Sequence, residues 1–155
     1  MRDPRSTITL TLAILFAATG LAETTLATAT NVDVWAVRAT KRNRDVSPEL
    51  KSLANALKKQ FRYTGFKLEK KASGKVETNK RYSTSLIRGY SVVVKPLERT
   101  SSRVKLEVTV SKRDSKGKSK TVLKTTVTTK LGAFVPVGCG SLDKGDYMIL
   151  LVRGK

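Results

Sequence analysis

The chain has 155 residues, with 31 lysines and arginines against 12 acids, no histidine, one cysteine and a formal net charge of +19 at pH 7. That length suits one domain with its own hydrophobic core. The composition excludes a disulfide framework, and it removes the usual ligands of zinc, copper and haem and the commonest catalytic base.

Residues 1–22 read as a secretory leader. Arg2 and Arg5 precede an apolar run from Ile8 to about Ala18, and Gly20 and Ala22 place small residues before a cut after Ala22. Ala27 and Ala29 offer a second cut, after Ala29. The apolar run is shorter than the ~20 residues of a membrane-spanning helix. No cysteine stands near the cut to carry lipid, and no twin arginine precedes the run. Export by the general route is expected, to the periplasm or the exterior. Residues 23–30 read as a flexible leader. Residues 31–155 read as a single domain with no later transmembrane segment.

Asn31–Thr40, NVDVWAVRAT, is β-branched or apolar on both faces, the pattern of a central strand. Lys41–Asp45 is too charged for a core. From Ser47 to Phe66 runs the one helical pattern. Ser47 is placed to cap it, Pro48 fits the first helical position, and Glu49 suits the positive end of the dipole. Leu50, Leu53, Ala54, Leu57 and Phe61 repeat at helical spacing, and Gly65 is expected to end the turn that follows.

Beyond Gly65 the period changes to two. Phe66 and Leu68 begin a strand, and KRYSTSLIRGYSVVVKPLE holds one or two more, with a bend at Gly89. In RVKLEVTV, Val104, Leu106, Val108 and Val110 face one way and Arg103, Lys105, Glu107 and Thr109 the other. TVLKTTVTTKL is its expected hairpin partner, across the loop SKRDSKGKS. AFVPVG and DYMILLV close the chain, the last being apolar on both faces. One helix followed by many antiparallel strands predicts an α+β fold, with an N-terminal amphipathic helix packed on a mostly antiparallel sheet or small sandwich.

This order of features, with SPEL opening a helix, LKKQFRYTGFKLEKK after it and strands ending in GDYMILLV, resembles a group of small exported bacterial proteins of uncharacterised function. The resemblance covers most of the chain beyond the leader. It rests on core and turn residues, implies an exported α+β module and carries over no activity.

Two glycine motifs are excluded as phosphate loops. Gly117-Lys118-Ser119 lacks the glycine five positions earlier, where Lys112 stands. Gly138-Cys139-Gly140 has Asp143 at the next required glycine, and no helix follows. Cys139 has no histidine to activate it, so it is expected to be a small buried residue at a strand end; an exposed thiol there would instead favour an intermolecular disulfide. Asp143 and Asp146 flank Lys144 in a turn, where aspartate bonds its own backbone. The other acids are scattered and suggest no catalytic carboxylate pair. No cofactor or metal is expected.

The basic residues cluster. Lys41, Arg42 and Arg44 precede the helix, and Lys67, Lys70, Lys71 and Lys75 follow it. The candidate anion-binding residues are Lys51, Lys58, Lys59 and Arg62 on the helix and Lys112, Arg113, Lys116, Lys118 and Lys120 in the hairpin. Two clusters on one face would hold a polyanion with salt-sensitive affinity; otherwise each is a solvated surface. Nucleic-acid readers add stacking aromatics, and here Trp35 and Phe61 read as core. An exported chain is not expected to meet intracellular nucleic acid.

The leading expectation is a non-enzymatic binding or scaffolding module of the bacterial envelope. Its charge favours an anionic polymer or envelope surface, and a sheet edge offers a route to a protein partner. Two rivals stay open. One is an enzyme or enzyme-inhibitor module acting on an anionic envelope polymer, which calls for a cleft with a shifted carboxylate or lysine. The other is an extracellular nucleic-acid binder.

Overall fold

Apolar alternation decides where each strand goes. In the computed structural model, which describes residues 28–155, the chain folds as a β-sandwich. The expected secretory leader, residues 1–22, lies outside the described residues, as do residues 23–27 of the expected flexible segment. In chain order the strands are β1 (Ala29–Thr40), β2 (Gly65–Glu77), β3 (Tyr82–Ser85), β4 (Tyr90–Arg99), β5 (Arg103–Arg113), β6 (Ser119–Lys130), β7 (Val135–Ser141) and β8 (Tyr147–Gly154). They form two antiparallel sheets, ordered β2-β1-β8-β7 and β3-β4-β5-β6.

Strand accounts for 61% of the described residues and helix for 11%. This corrects the α+β expectation. The described fold opens on a strand, and the helix is an insertion between β1 and β2. The helical pattern from Ser47 to Phe66 yields only a 3-10 turn, Pro48–Leu50, and α1 (Ala54–Phe61), eight residues long. Ser47 does not cap it. Its hydroxyl accepts from the backbone N–H of Leu68 at 2.9 Å and so fastens the insertion to β2. Arg62, in the left-handed region at φ 55°, ends the helix, and Gly65 opens β2.

Two apolar clusters follow from this arrangement. Between the sheets lie Val32, Val34 and Ala36 of β1, Val92 and Val94 of β4, the even-numbered residues Val104 to Val110 of β5, and Met148, Leu150 and Val152 of β8. On the outer face of the first sheet, Leu50 and Leu57 of the insertion pack on Val37, Ala39, Phe66, Ile149 and Leu151. β1 and β8 are therefore covered on both faces, which is why their sequences are apolar on both. β5 keeps one face in water and alternates strictly.

Glycines appear where backbones come close. A Cβ on Gly74 of β2 would lie 2.2 Å from the Tyr82 ring, so glycine lets the two sheets approach along that side. Gly138-Cys139-Gly140 lies in β7. Gly138 pairs with Ile149 and Gly140 with Met148, which leaves Cys139 as a one-residue bulge. Its side chain is buried in the inter-sheet core, with Sγ 3.5 Å from the Val137 carbonyl oxygen. Burial pushes the thiol pKa up to about 12, so it is a packing residue and not a nucleophile.

Candidate anion-binding site

Arg38 sits in an otherwise apolar stretch of β1, on the inter-sheet side. It lies near the end of the strand, where the sandwich opens. Arg38 pairs with Lys67 of β2, and Glu69, two residues further along β2, is the extra residue of a bulge: Ala36 pairs with Lys70 and Val37 with Leu68. The bulge aims the Glu69 carboxylate at Arg38, whose Nε donates to Oε1 at 2.8 Å. The second partner is Asp146, in the turn before β8. That turn is fixed by its own backbone, with Leu142 N–H donating to the Asp146 carbonyl at 2.7 Å and Asp146 N–H to that of Asp143 at 3.2 Å.

The Asp146 side chain is only 1% exposed. Its Oδ2 accepts from Arg38 Nη1 at 3.3 Å and from Arg42 Nη2 at 2.5 Å. Its Oδ1 is buried without a hydrogen-bond partner. Burial alone would raise the Asp146 pKa. The nearby Thr40 hydroxyl and the hydrogen bonds from Arg42 and Arg38 more than offset that and hold it below the ordinary carboxylate range. Arg38, bridging Glu69 and Asp146, is raised in turn.

These residues line a cavity of about 640 Å³ at the mouth of the sandwich. Arg42 and Arg88 are mostly exposed, and Arg88 is braced 3.4 Å from Asp143. Lys67 stands 3.9 Å from Glu69 on the same wall. A guanidinium has five N–H donors in a fixed fork. Anchoring Arg38 and Arg42 on a buried carboxylate leaves each with donors to spare, held without the entropy cost of fixing a free side chain.

The β3–β4 turn connects this cavity to the hairpin. Arg88 lines the cavity, and the next residue, Gly89, accepts at its carbonyl from Arg113 N–H at 2.9 Å. Lys112 Nζ lies 4.9 Å from the Tyr90 ring centroid. Lys112 and Arg113 thus flank the cavity end of the molecule, and Lys116, Lys118 and Lys120 continue outward along the exposed hairpin. Asp114 shapes that loop: its Oδ1 accepts from the backbone N–H of Lys116 and of Lys118, both at 2.9 Å.

The helix candidates are placed elsewhere. Lys51, Lys58, Lys59 and Arg62 are exposed on an insertion that covers the outer face of the other sheet, and none lines the cavity. The two candidate groups are therefore not brought together. Arg38, Lys67, Glu69, Arg88 and Asp146 were missed as site residues. Two signals pointed to them: an arginine inside an apolar strand pattern, and an aspartate directly before a fully apolar one.

Among the described residues no helix is long and apolar enough to cross a membrane. No family model and no curated protein matches this chain. Among solved structures, the T2SS secretin XcpQ from Pseudomonas aeruginosa is similar over 82% of this chain and 55% of that chain, at 8% identity and a TM-score of 0.39. A likeness of that size carries no argument about fold or function.

Proposed function

We propose that the protein is a non-enzymatic, anion-binding module of the bacterial envelope, and that it binds at the end where the cavity and the hairpin meet. The observation that carries the reading is the Arg38–Asp146–Arg42 cluster, in which one buried carboxylate positions two arginines at a cavity whose rim adds Arg88 and Lys67. The enzyme reading calls for a cleft with a shifted carboxylate. The cleft exists, but Asp146 is shifted down and held ionised by two arginines, which suits it to positioning and not to proton transfer near neutrality.

Titration with inorganic polyphosphate at several salt concentrations tests the reading. The double variant Arg42→Ala, Arg88→Ala is expected to lose about tenfold in affinity and to flatten the salt dependence by about two charges. Neutralising Lys112, Arg113, Lys116, Lys118 and Lys120 together should weaken binding further. Neutralising Lys51, Lys58, Lys59 and Arg62 together should change it little. Equal losses in the helix and hairpin variants would show that only overall charge matters and would overturn the assignment to this end.

Placement in the envelope rests on the leader read from residues 1–22. Ala29 pairs with Glu77, and its carbonyl accepts from Arg99 Nη1 at 2.7 Å, so a cut after Ala29 would remove a sheet residue. The expected mature N-terminus is therefore Glu23, and intact-mass measurement of the exported product checks it.

A further inference from the structure

The insertion does not cover the whole outer face of the β2-β1-β8-β7 sheet. Toward the start of β1, Asp33 pairs across the strands with Ser73 and Arg153, and Trp35 with Lys71 and Leu151. Side chains on this register share one face. They border two adjoining cavities of about 310 Å³ each, which have Asp33, Ser73 and Lys155 in common. Trp35, Lys71 and Arg153 line one, and Asn31 and Lys75 the other.

The groove is preformed. Asp33 is 5% exposed, and its Oδ2 accepts from Arg153 Nε at 2.9 Å and Lys155 Nζ at 2.8 Å. Arg153 also lies 4.2 Å over the Phe134 ring, and Phe134 meets Trp35 at 4.4 Å between centroids. Lys71 is held from both sides, 3.3 Å from Glu49 and 4.9 Å over the Trp35 ring. Lys71, Lys75, Arg153 and Lys155 thus line the groove around the Asp33 side chain, and Lys75 makes no ion pair among the described residues.

We propose that this groove is a second binding site and that its ligand is an acidic saccharide. A half-buried tryptophan gives an apolar wall for a sugar ring. The cations attract its carboxylate or phosphate, and Ser73 and Asn31 offer hydrogen bonds to hydroxyls. A nucleic-acid strand is a poorer fit, because it uses several stacking platforms in succession and this groove is lined by one aromatic side chain. The site is separate from the cationic end described above: it lies on the outer face of the sheet near the start of β1, whereas Arg38 lies on the inner face near its end.

Trp35 is the only tryptophan in the chain, so its emission, excited where the four tyrosines do not absorb, reports this groove. The full exported protein is titrated with trigalacturonate, glucose 6-phosphate and neutral maltotriose, with a glutamate trimer and a short oligothymidylate as further arms. A saturable emission change with either acidic sugar is expected, at least tenfold weaker with maltotriose and with the non-sugar anions. The acidic sugar that responds names the anionic group. The double variant Lys71→Gln, Lys75→Gln should move the midpoint up about tenfold, and Arg42→Ala, Arg88→Ala should leave it in place, so this result stands or falls apart from the polyphosphate result. Absence of a saturable change with both acidic sugars overturns the proposal. So does an equal response to all the anions, or a midpoint indifferent to the lysine variants.

Discussion

The two sheets share one core but differ in their outer surroundings. The β2-β1-β8-β7 sheet has the helical insertion on its outer face, so Met148 to Val152 are buried without a break. The β3-β4-β5-β6 sheet shows water a face of Ser, Thr and Lys, including Ser91, Lys95, Lys105, Thr126 and Thr128. The buried polar residues divide the same way. Thr30, Asp33 and Thr40 lie in β1 and Asp146 directly precedes β8. Among the described residues, charge is buried only in or beside the β2-β1-β8-β7 sheet, where neighbouring elements supply arginines to pair with it. There the low dielectric strengthens each ion pair and makes an unpaired charge costly.

The largest expected effect tests whether the cover is structural. Leu57 of α1 is buried against the outer face of the first sheet. Truncating it, Leu57→Ala, should cost about 2–4 kcal/mol by urea denaturation, the usual range for a buried leucine that leaves a cavity. A cost below about 1 kcal/mol would mean that the insertion is a loose ornament, and the contrast between the sheets would fail.

Next comes the buried carboxylate. Asp146→Asn keeps the shape but removes the charge that two arginines share. Arg38 keeps Glu69 and Arg42 is half in water, so the expected cost at pH 7 is about 2–3 kcal/mol, under that of a fully buried broken pair. The sign with pH follows from the lowered pKa. Asp146 and Asp33 both sit below the ordinary aspartate value in the folded state, the latter because hydrogen bonds from Lys155 and Arg153 more than offset the effect of burial. Their contribution is complete above the unfolded value of about 3.9 and is lost as pH falls through the folded one. The wild type should therefore lose stability on acidification below about pH 4, and Asp146→Asn should lose less. Parallel acid curves for the two would remove Asp146 from the account.

Much of this fold is legible in the sequence because burial writes a period. The alternation of Val104 to Val110 and the unbroken MILLV each specify how many faces of a strand are covered. The helical stripe was also real, since Leu50, Ala54 and Leu57 are buried, yet its length misled. Pattern reports which side is apolar but not where the backbone hydrogen bonds break, and here Ser47 spends its hydroxyl on β2 instead of a helix end. The absence of a histidine to activate Cys139 points to a buried packing residue, and it is buried. The cationic cavity was hidden for a different reason. Arg38, Arg88 and Asp146 are far apart in the chain and meet only because antiparallel pairing and two turns bring them to one mouth. Conversely, the helix and hairpin clusters look equivalent as runs of lysine, and only sheet membership separates them.

The smallest expected effect lies on the bare face and completes the comparison with Asp146. Glu107 and Lys124 form an ion pair between β5 and β6 at 3.5 Å, close in length to the 3.3 Å of Arg38–Asp146. The lysine side chain is 63% exposed, however, so water screens the attraction and competes for both groups. Glu107→Gln should cost under about 0.5 kcal/mol, and 0.5 M salt should abolish the difference. Asp146→Asn should keep most of its cost in the same salt, because its carboxylate is out of reach of the ions. If both variants responded to salt alike, burial on the doubly covered sheet would not be what gives the Asp146 cluster its strength.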